Sequence, residues 1–180
     1  MNLLIDLTSD SLSSLEFVNP IKRIVESVKE EAEIIHCTKL EDEGSKQKIN
    51  SASRIILCGT ALKDNKFQED YEKFNWIKDY KKPILGICAG MQVIGLVYGA
   101  KLIAMKEIGM TQILVKDTIF QDTMFSAYEL HNSSITLPEG FTEIAYNDKG
   151  MQAIKKDKIY AIQFHPEVRN RKLIENFLKL

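Results

Sequence analysis

Cysteine is scarce in this chain, and what there is cannot pair neatly. Cys37, Cys58 and Cys88 are the whole complement, far apart and with no CxxC spacing. An odd, scattered set argues against a disulfide framework or a structural zinc site and fits a reducing cytoplasm. Charge of one sign is also missing, since 24 basic residues face 25 acidic ones. Nothing electrostatic therefore points to nucleic acid or an anionic membrane as partner. No apolar run approaches the roughly 20 residues that cross a bilayer. The start, Met1-Asn2-Leu3-Leu4-Ile5-Asp6, lacks the basic residues and small-residue cleavage site of a secretory signal. Repeats, linkers and low-complexity segments are absent as well. With 180 residues, 44% of them hydrophobic, the expectation is one domain spanning residues 1–180 around one substantial core.

What is present is an alternation of short apolar runs with longer amphipathic stretches. Leu3–Leu7, Ala32–Cys37, Arg54–Cys58 and Ile84–Ile87 read as strands. Between them, Leu15–Lys29 places Ile21, Ile24, Val25 and Val28 at helical spacing, and Phe67–Tyr80 reads as a helix ended by Lys81-Lys82-Pro83. Gly90–Tyr98 follows as another helix. This rhythm predicts an α/β fold with a twisted, mostly parallel sheet flanked by helices. The second half changes character. Ile113–Val115, Ser134–Leu137, Glu143–Tyr146, Gln152–Ile154 and Ile159–Phe164 are short β-like runs separated by turn residues, which predicts added antiparallel strands. Arg171–Leu180 reads as a closing helix.

The densest chemical signal is Gly86-Ile87-Cys88-Ala89-Gly90-Met91-Gln92. An apolar strand ends at Cys88 and a helix begins within two residues, with a glycine two positions to either side. That is the pattern of a nucleophile elbow. A sharp strand-to-helix turn lifts the nucleophile above the sheet, and side chains at the flanking positions would obstruct it. The helix start lowers the thiol pKa and offers backbone N–H groups to an oxyanion. A lone free cysteine is more often a small buried hydrophobe. The glycines and the strand-to-helix context reverse that preference here.

A thiol nucleophile needs a base. Gln163-Phe164-His165-Pro166-Glu167-Val168 places His165 at the end of a strand, where parallel sheets present functional groups. Residues two apart on an extended chain face the same way, so Glu167 can orient the His165 imidazole toward Cys88. His36 and His131 are the competing bases, and His36, inside an early strand, reads as structural.

Taken together, GICAGMQ and QFHPEV resemble the class I glutamine amidotransferase domain, over essentially the whole chain. The resemblance implies a flavodoxin-like sheet and hydrolysis of the glutamine amide through a γ-glutamyl thioester. It makes Cys88 the nucleophile, His165 the base and then acid, and Glu167 the orienting acid. Gln92, one turn past the nucleophile, would contact substrate. The Ala89 N–H would be one oxyanion donor. The other belongs to the turn Cys58-Gly59-Thr60-Ala61, where Gly59 is kept and Thr60 replaces a customary glycine. Glu129-Leu130-His131-Asn132-Ser133, ahead of Leu137-Pro138-Glu139-Gly140-Phe141, resembles the family segment that holds the substrate backbone groups. There His131 matches the family histidine, and Leu130 and Asn132 supply backbone contacts.

The stretch from Leu137 to Val168 is most similar to the glutaminase part of GMP synthase, which implies nucleotide biosynthesis. No synthetase module is recognisable, so an ATP-dependent synthetase is expected on a separate chain. No cofactor and no metal are expected. Two other readings stay open: a γ-glutamyl hydrolase or peptidase using the same triad, and an inactive regulatory protein.

Overall fold

The computed structural model describes residues 1–180. Nine strands form one sheet: β1 (Asn2–Asp6), β2 (Ala32–His36), β3 (Arg54–Leu57), β4 (Ile84–Ile87), β5 (Leu102–Val115), β6 (Met124–Ile135), β7 (Thr142–Tyr146), β8 (Met151–Lys156) and β9 (Ile159–Ile162). Their order is β2-β1-β3-β4-β9-β8-β7-β5-β6. The five strands from β2 to β9 pair in parallel, and the rest are antiparallel. The sequence expectation of a parallel half extended by antiparallel strands holds.

Two apolar layers cover the parallel half, and strand alternation builds both. Leu3, Ile5, Ile55, Leu57 and Ile84 face one side, against Ile49 of α3 (Glu43–Ser51) and Met91, Ile94 and Val97 of α4 (Ala89–Val97). Leu4, Ile56, Leu85 and Ile87 face the other, against Ile21, Ile24 and Val25 of α2 (Asn19–Ser27) and Leu173, Ile174 and Phe177 of α5 (Arg171–Phe177).

Four local readings differ from what the sequence predicts. The single helix over 15–29 is two, α1 (Ser13–Phe17) and α2, which meet at Val18. Pro20 sits in the first turn of α2, where its missing N–H costs nothing and a continuous helix would have suffered. The 67–80 stretch winds as short 3₁₀ turns, Lys66–Gln68 and Tyr71–Lys78, anchored by the buried Phe67, Phe74 and Ile77. Helix α3 carries only Ile49 as a buried aliphatic residue, and so has almost no apolar period to read. Finally, Ile113–Val115 and Ser134–Leu137 mark only the ends of a long antiparallel ribbon, β5 with β6.

Candidate active site

Strand β4 ends at Ile87, Cys88 makes the turn, and α4 starts at the next residue. The Cys88 backbone lies at φ 49°, ψ −101°, a region that side-chain-bearing residues rarely adopt and that costs on the order of 1–3 kcal/mol. The turn is held from across the sheet, where the Cys88 N–H donates to the Ile162 carbonyl of β9 at 2.8 Å. The flanking glycines are steric necessities. A Cβ on Gly90 would lie 2.3 Å from the Leu57 carbonyl oxygen, and one on Gly86 would lie 2.7 Å from the Gly90 carbonyl. Gly59 is fixed by the base itself, because its Cβ would lie 2.7 Å from the His165 ring.

His165 follows β9 and is held by its N–H donating to the Tyr128 carbonyl of β6 at 2.9 Å. Its Nδ1 lies 2.8 Å from Glu167 Oε1, with both side chains almost wholly buried. An ionised carboxylate only accepts, so Nδ1 carries the proton and Nε2 is left for the thiol. Nε2 has no other hydrogen-bond partner. The imidazole pKa is the outcome of a contest. Burial, the largest influence, disfavours the charge, but the Cys88 charge and hydrogen bond and the Glu167 carboxylate outweigh it and raise the pKa well above the ordinary value. His165 is expected to titrate well above the usual 6.5 or so of a free histidine. In Cys88→Ser the burial remains while the Cys88 contribution is lost, so the midpoint should fall, as histidine NMR would read.

Around Cys88 Sγ lie the Leu130 carbonyl at 3.7 Å and Gln163 Nε2 at 3.8 Å. Gln92 is buried on α4 one turn beyond the nucleophile. Its Nε2 donates to the Ser133 carbonyl at 2.9 Å, and its Oε1 accepts from Gln68 Nε2 at 3.2 Å. Ala89 is the first residue of α4, so its N–H has no acceptor within the helix. Thr60 is buried and is not among the residues with positive φ, and its N–H makes no hydrogen bond within the protein. Its hydroxyl donates to the Asp64 carbonyl at 3.1 Å, and Asn132 Nδ2 donates to the Leu62 carbonyl at 3.0 Å. A small pocket is lined by Thr60, Cys88, Ala89, Gln92, Leu130 and Asn132.

The structure therefore gathers Cys88, His165, Glu167, Gly59, Thr60, Ala89, Gln92, Leu130 and Asn132 at one place. The His131 imidazole points elsewhere. Strand alternation puts it on the opposite face of β6 from Leu130 and Asn132. Its Nδ1 lies 2.8 Å from the Met105 carbonyl, and its Nε2 lies 3.1 Å from Glu129 and 3.5 Å from Glu107. What His131 offers the pocket is backbone. Burial raises the Glu129 pKa, with His131 pulling the other way. Glu107, Glu129 and His131 are the one cluster with metal-ligand spacing, and all three are buried. Two neighbours escaped the sequence reading, Gln163 and Gln68. Gln163 sits two residues before His165, a spacing that in a strand flags a shared face. Gln68 carries no such signal. His36, read as structural, holds the Thr8 carbonyl through Nε2 at 2.7 Å.

The family model for glutamine amidotransferase class-I matches residues 10–180. The chain belongs to the class I glutamine amidotransferases. It is 30% identical to the glutamine-hydrolysing GMP synthase subunit of Methanocaldococcus jannaschii, over 92% of both proteins. The corresponding protein of Pyrococcus abyssi is 31% identical over 92% of this amidotransferase chain and 93% of the relative. Among solved structures, a candidate GMP synthase subunit from Thermoplasma acidophilum superposes with a TM-score of 0.84 at 26% identity, covering 99% of this chain and 92% of that one. A Thermotoga maritima glutamine amidotransferase, at TM-score 0.74 and 20% identity over 99% of this chain and 80% of that one, shares the fold. The amidotransferase chain also matches the GMP synthase of Thermotoga maritima, 32% identical over 142 residues, or 72% of this chain, but spans only 28% of that protein's length. No helix is long and apolar enough to cross a membrane.

Proposed function

We propose that this amidotransferase hydrolyses the glutamine side-chain amide at Cys88 and hands the ammonia to an ATP-dependent synthetase on a separate chain, in the cytoplasm. The assembly would be of the GMP synthase kind, as the names of its relatives indicate. The observation that carries the reading is the buried Glu167–His165 pair, whose Nε2 is free of other partners and whose imidazole is under the influence of a thiol on a strained strand-to-helix turn.

The Cys88 thiolate attacks the amide carbon, and the carbonyl electrons move onto oxygen, toward the N–H groups of Ala89 and Thr60. His165 gives its proton to the leaving nitrogen. The C–N bond breaks, ammonia departs, and a γ-glutamyl thioester remains. His165, now neutral, takes a proton from water as that water attacks the thioester. Glutamate leaves and the thiolate–imidazolium pair is restored. Gln92 and the Leu130–Asn132 backbone hold the substrate meanwhile.

The γ-glutamyl hydrolase reading uses the same triad and differs in what lies beyond the amide nitrogen. Ammonia release from free glutamine, compared with hydrolysis of a γ-glutamyl dipeptide, separates the two. Glutamine is expected to be the better substrate, and a clear preference for the dipeptide would replace this reading.

A further inference from the structure

The β5–β6 ribbon presents one face to the molecule and the other to solvent, and the solvent face is the wrong one for a free surface. Its inward residues are Glu107, Ile113, Ala127, Glu129 and His131, all buried. Outward, where an exposed strand normally carries polar residues, stand Ile103, Ile108, Met110 and Leu114 of β5 and Met124 of β6, between 39% and 57% exposed. Strand pairing stacks them, with Ile108 beside Leu130, Met110 beside Tyr128 and Leu114 beside Met124. Lys106 and Gln112, the latter donating to Ser126 Oγ at 2.7 Å, interrupt these five large side chains. So many exposed apolar groups on one strand pair are the kind of surface that marks an interaction site. Such a patch is short of the roughly 800 Å² per partner that a stable complex buries, so it supplies the centre of such a contact and not the whole.

The patch runs directly into the catalytic pocket. Leu130, paired with Ile108, and Asn132, two residues on, both line the pocket around Cys88. Asn132 also binds the loop after Thr60 through the Leu62 carbonyl. Whatever sits on this ribbon face therefore covers the mouth from which ammonia leaves.

We infer that the outward face of β5–β6 is the docking surface for the ammonia-consuming synthetase, with Met110 and Leu114 in its apolar centre. The inference rests on the function proposed above. A second copy of this chain is a poor occupant, because a symmetric contact would seal two glutamine pockets against each other and leave ammonia with no acceptor. The synthetase gains from the same contact, since the product is then released under its own surface. The Asn132–Leu62 bond also gives docking a direct mechanical connection to the turn that carries the Thr60 N–H.

The test is a double variant, Met110→Glu with Leu114→Glu, which touches no catalytic group. The full chain is titrated with the purified GMP synthase synthetase protein of the same organism, following binding by calorimetry and glutaminase rate by ammonia release. The expected result is unchanged basal ammonia release, binding weakened at least tenfold, and loss of any rate increase caused by the synthetase. Wild-type binding preserved in the double variant would overturn the surface, as would a wild-type chain that does not bind this synthetase. A wild-type homodimer that the variant dissolves would give the face to a second copy instead. Labelling of Cys88 by an electrophilic glutamine analogue, measured in both proteins, reports the catalytic reading separately. Absent labelling would count against the glutaminase function, and normal labelling with normal binding only against the surface.

Discussion

Cys88→Ser should lower ammonia release from glutamine by on the order of 10⁴-fold or more, the scale of losing a triad nucleophile, with the fold unchanged. Serine keeps the backbone demand at φ 49° and nearly the same volume. It loses the sulfur nucleophile and, with it, the Cys88 contribution that raises the His165 pKa. The other two cysteines are poor substitutes. Cys58 is fully buried, and burial pushes its thiol well above the usual range, with Glu167 and Asp6 adding to the effect. Cys37 is raised as well, first by burial and then by Asp6. An electrophilic glutamine analogue should therefore label Cys88 alone, by peptide mass spectrometry. Label on Cys58 or Cys37 with Cys88 untouched would remove Cys88 from the chemistry.

The second large effect is a difference between two buried histidines. His165→Ala should cost about 10²–10⁴-fold in kcat, the usual contribution of a general base. His131→Ala should cost far less per folded molecule, because its ring faces Met105, Glu129 and Glu107 and never meets the thiol. Its penalty falls on stability instead, since two buried carboxylates lose the imidazole between them. Glu167→Gln should be milder than His165→Ala, since Glu167 orients a proton it never transfers. Steady-state rates normalised to the folded fraction read all three, and equal losses at His165 and His131 would withdraw His165 as the base.

The catalytic half was legible in the sequence because its steric demands are local. Gly86, Cys88 and Gly90 lie within five positions, and each glycine answers to an atom a turn away or one strand across. His165 and Glu167 lie two apart, and their pairing was legible. A turn closed by the Val168 N–H on the His165 carbonyl brings them together, in place of the extended chain that the alternation rule assumes. The β5–β6 ribbon was harder to read for the opposite reason. Several of its outward residues, Ile108, Met110, Leu114 and Met124, are apolar too, so the expected alternation of apolar and polar residues is blurred just where the strands are longest. Gln68 reaches Gln92 from a 3₁₀ turn with no periodic signature. Side-chain direction at His131 depends on strand register, which residue type alone leaves undetermined.

The bond from the Cys88 N–H to the Ile162 carbonyl also has a consequence in time. β4 and β9 are neighbours in space, yet Gln163 comes 75 residues after Cys88. The whole antiparallel excursion, β5 to β8, is made between them, and β9 must then slot between β4 and β8. Closing so long a loop is slow and comes late in folding. Until then the elbow lacks its cross-strand anchor and the thiol lacks its base. A nascent or truncated chain that still lacks β9 thus carries an unarmed cysteine, and reactivity arrives only when that strand seats.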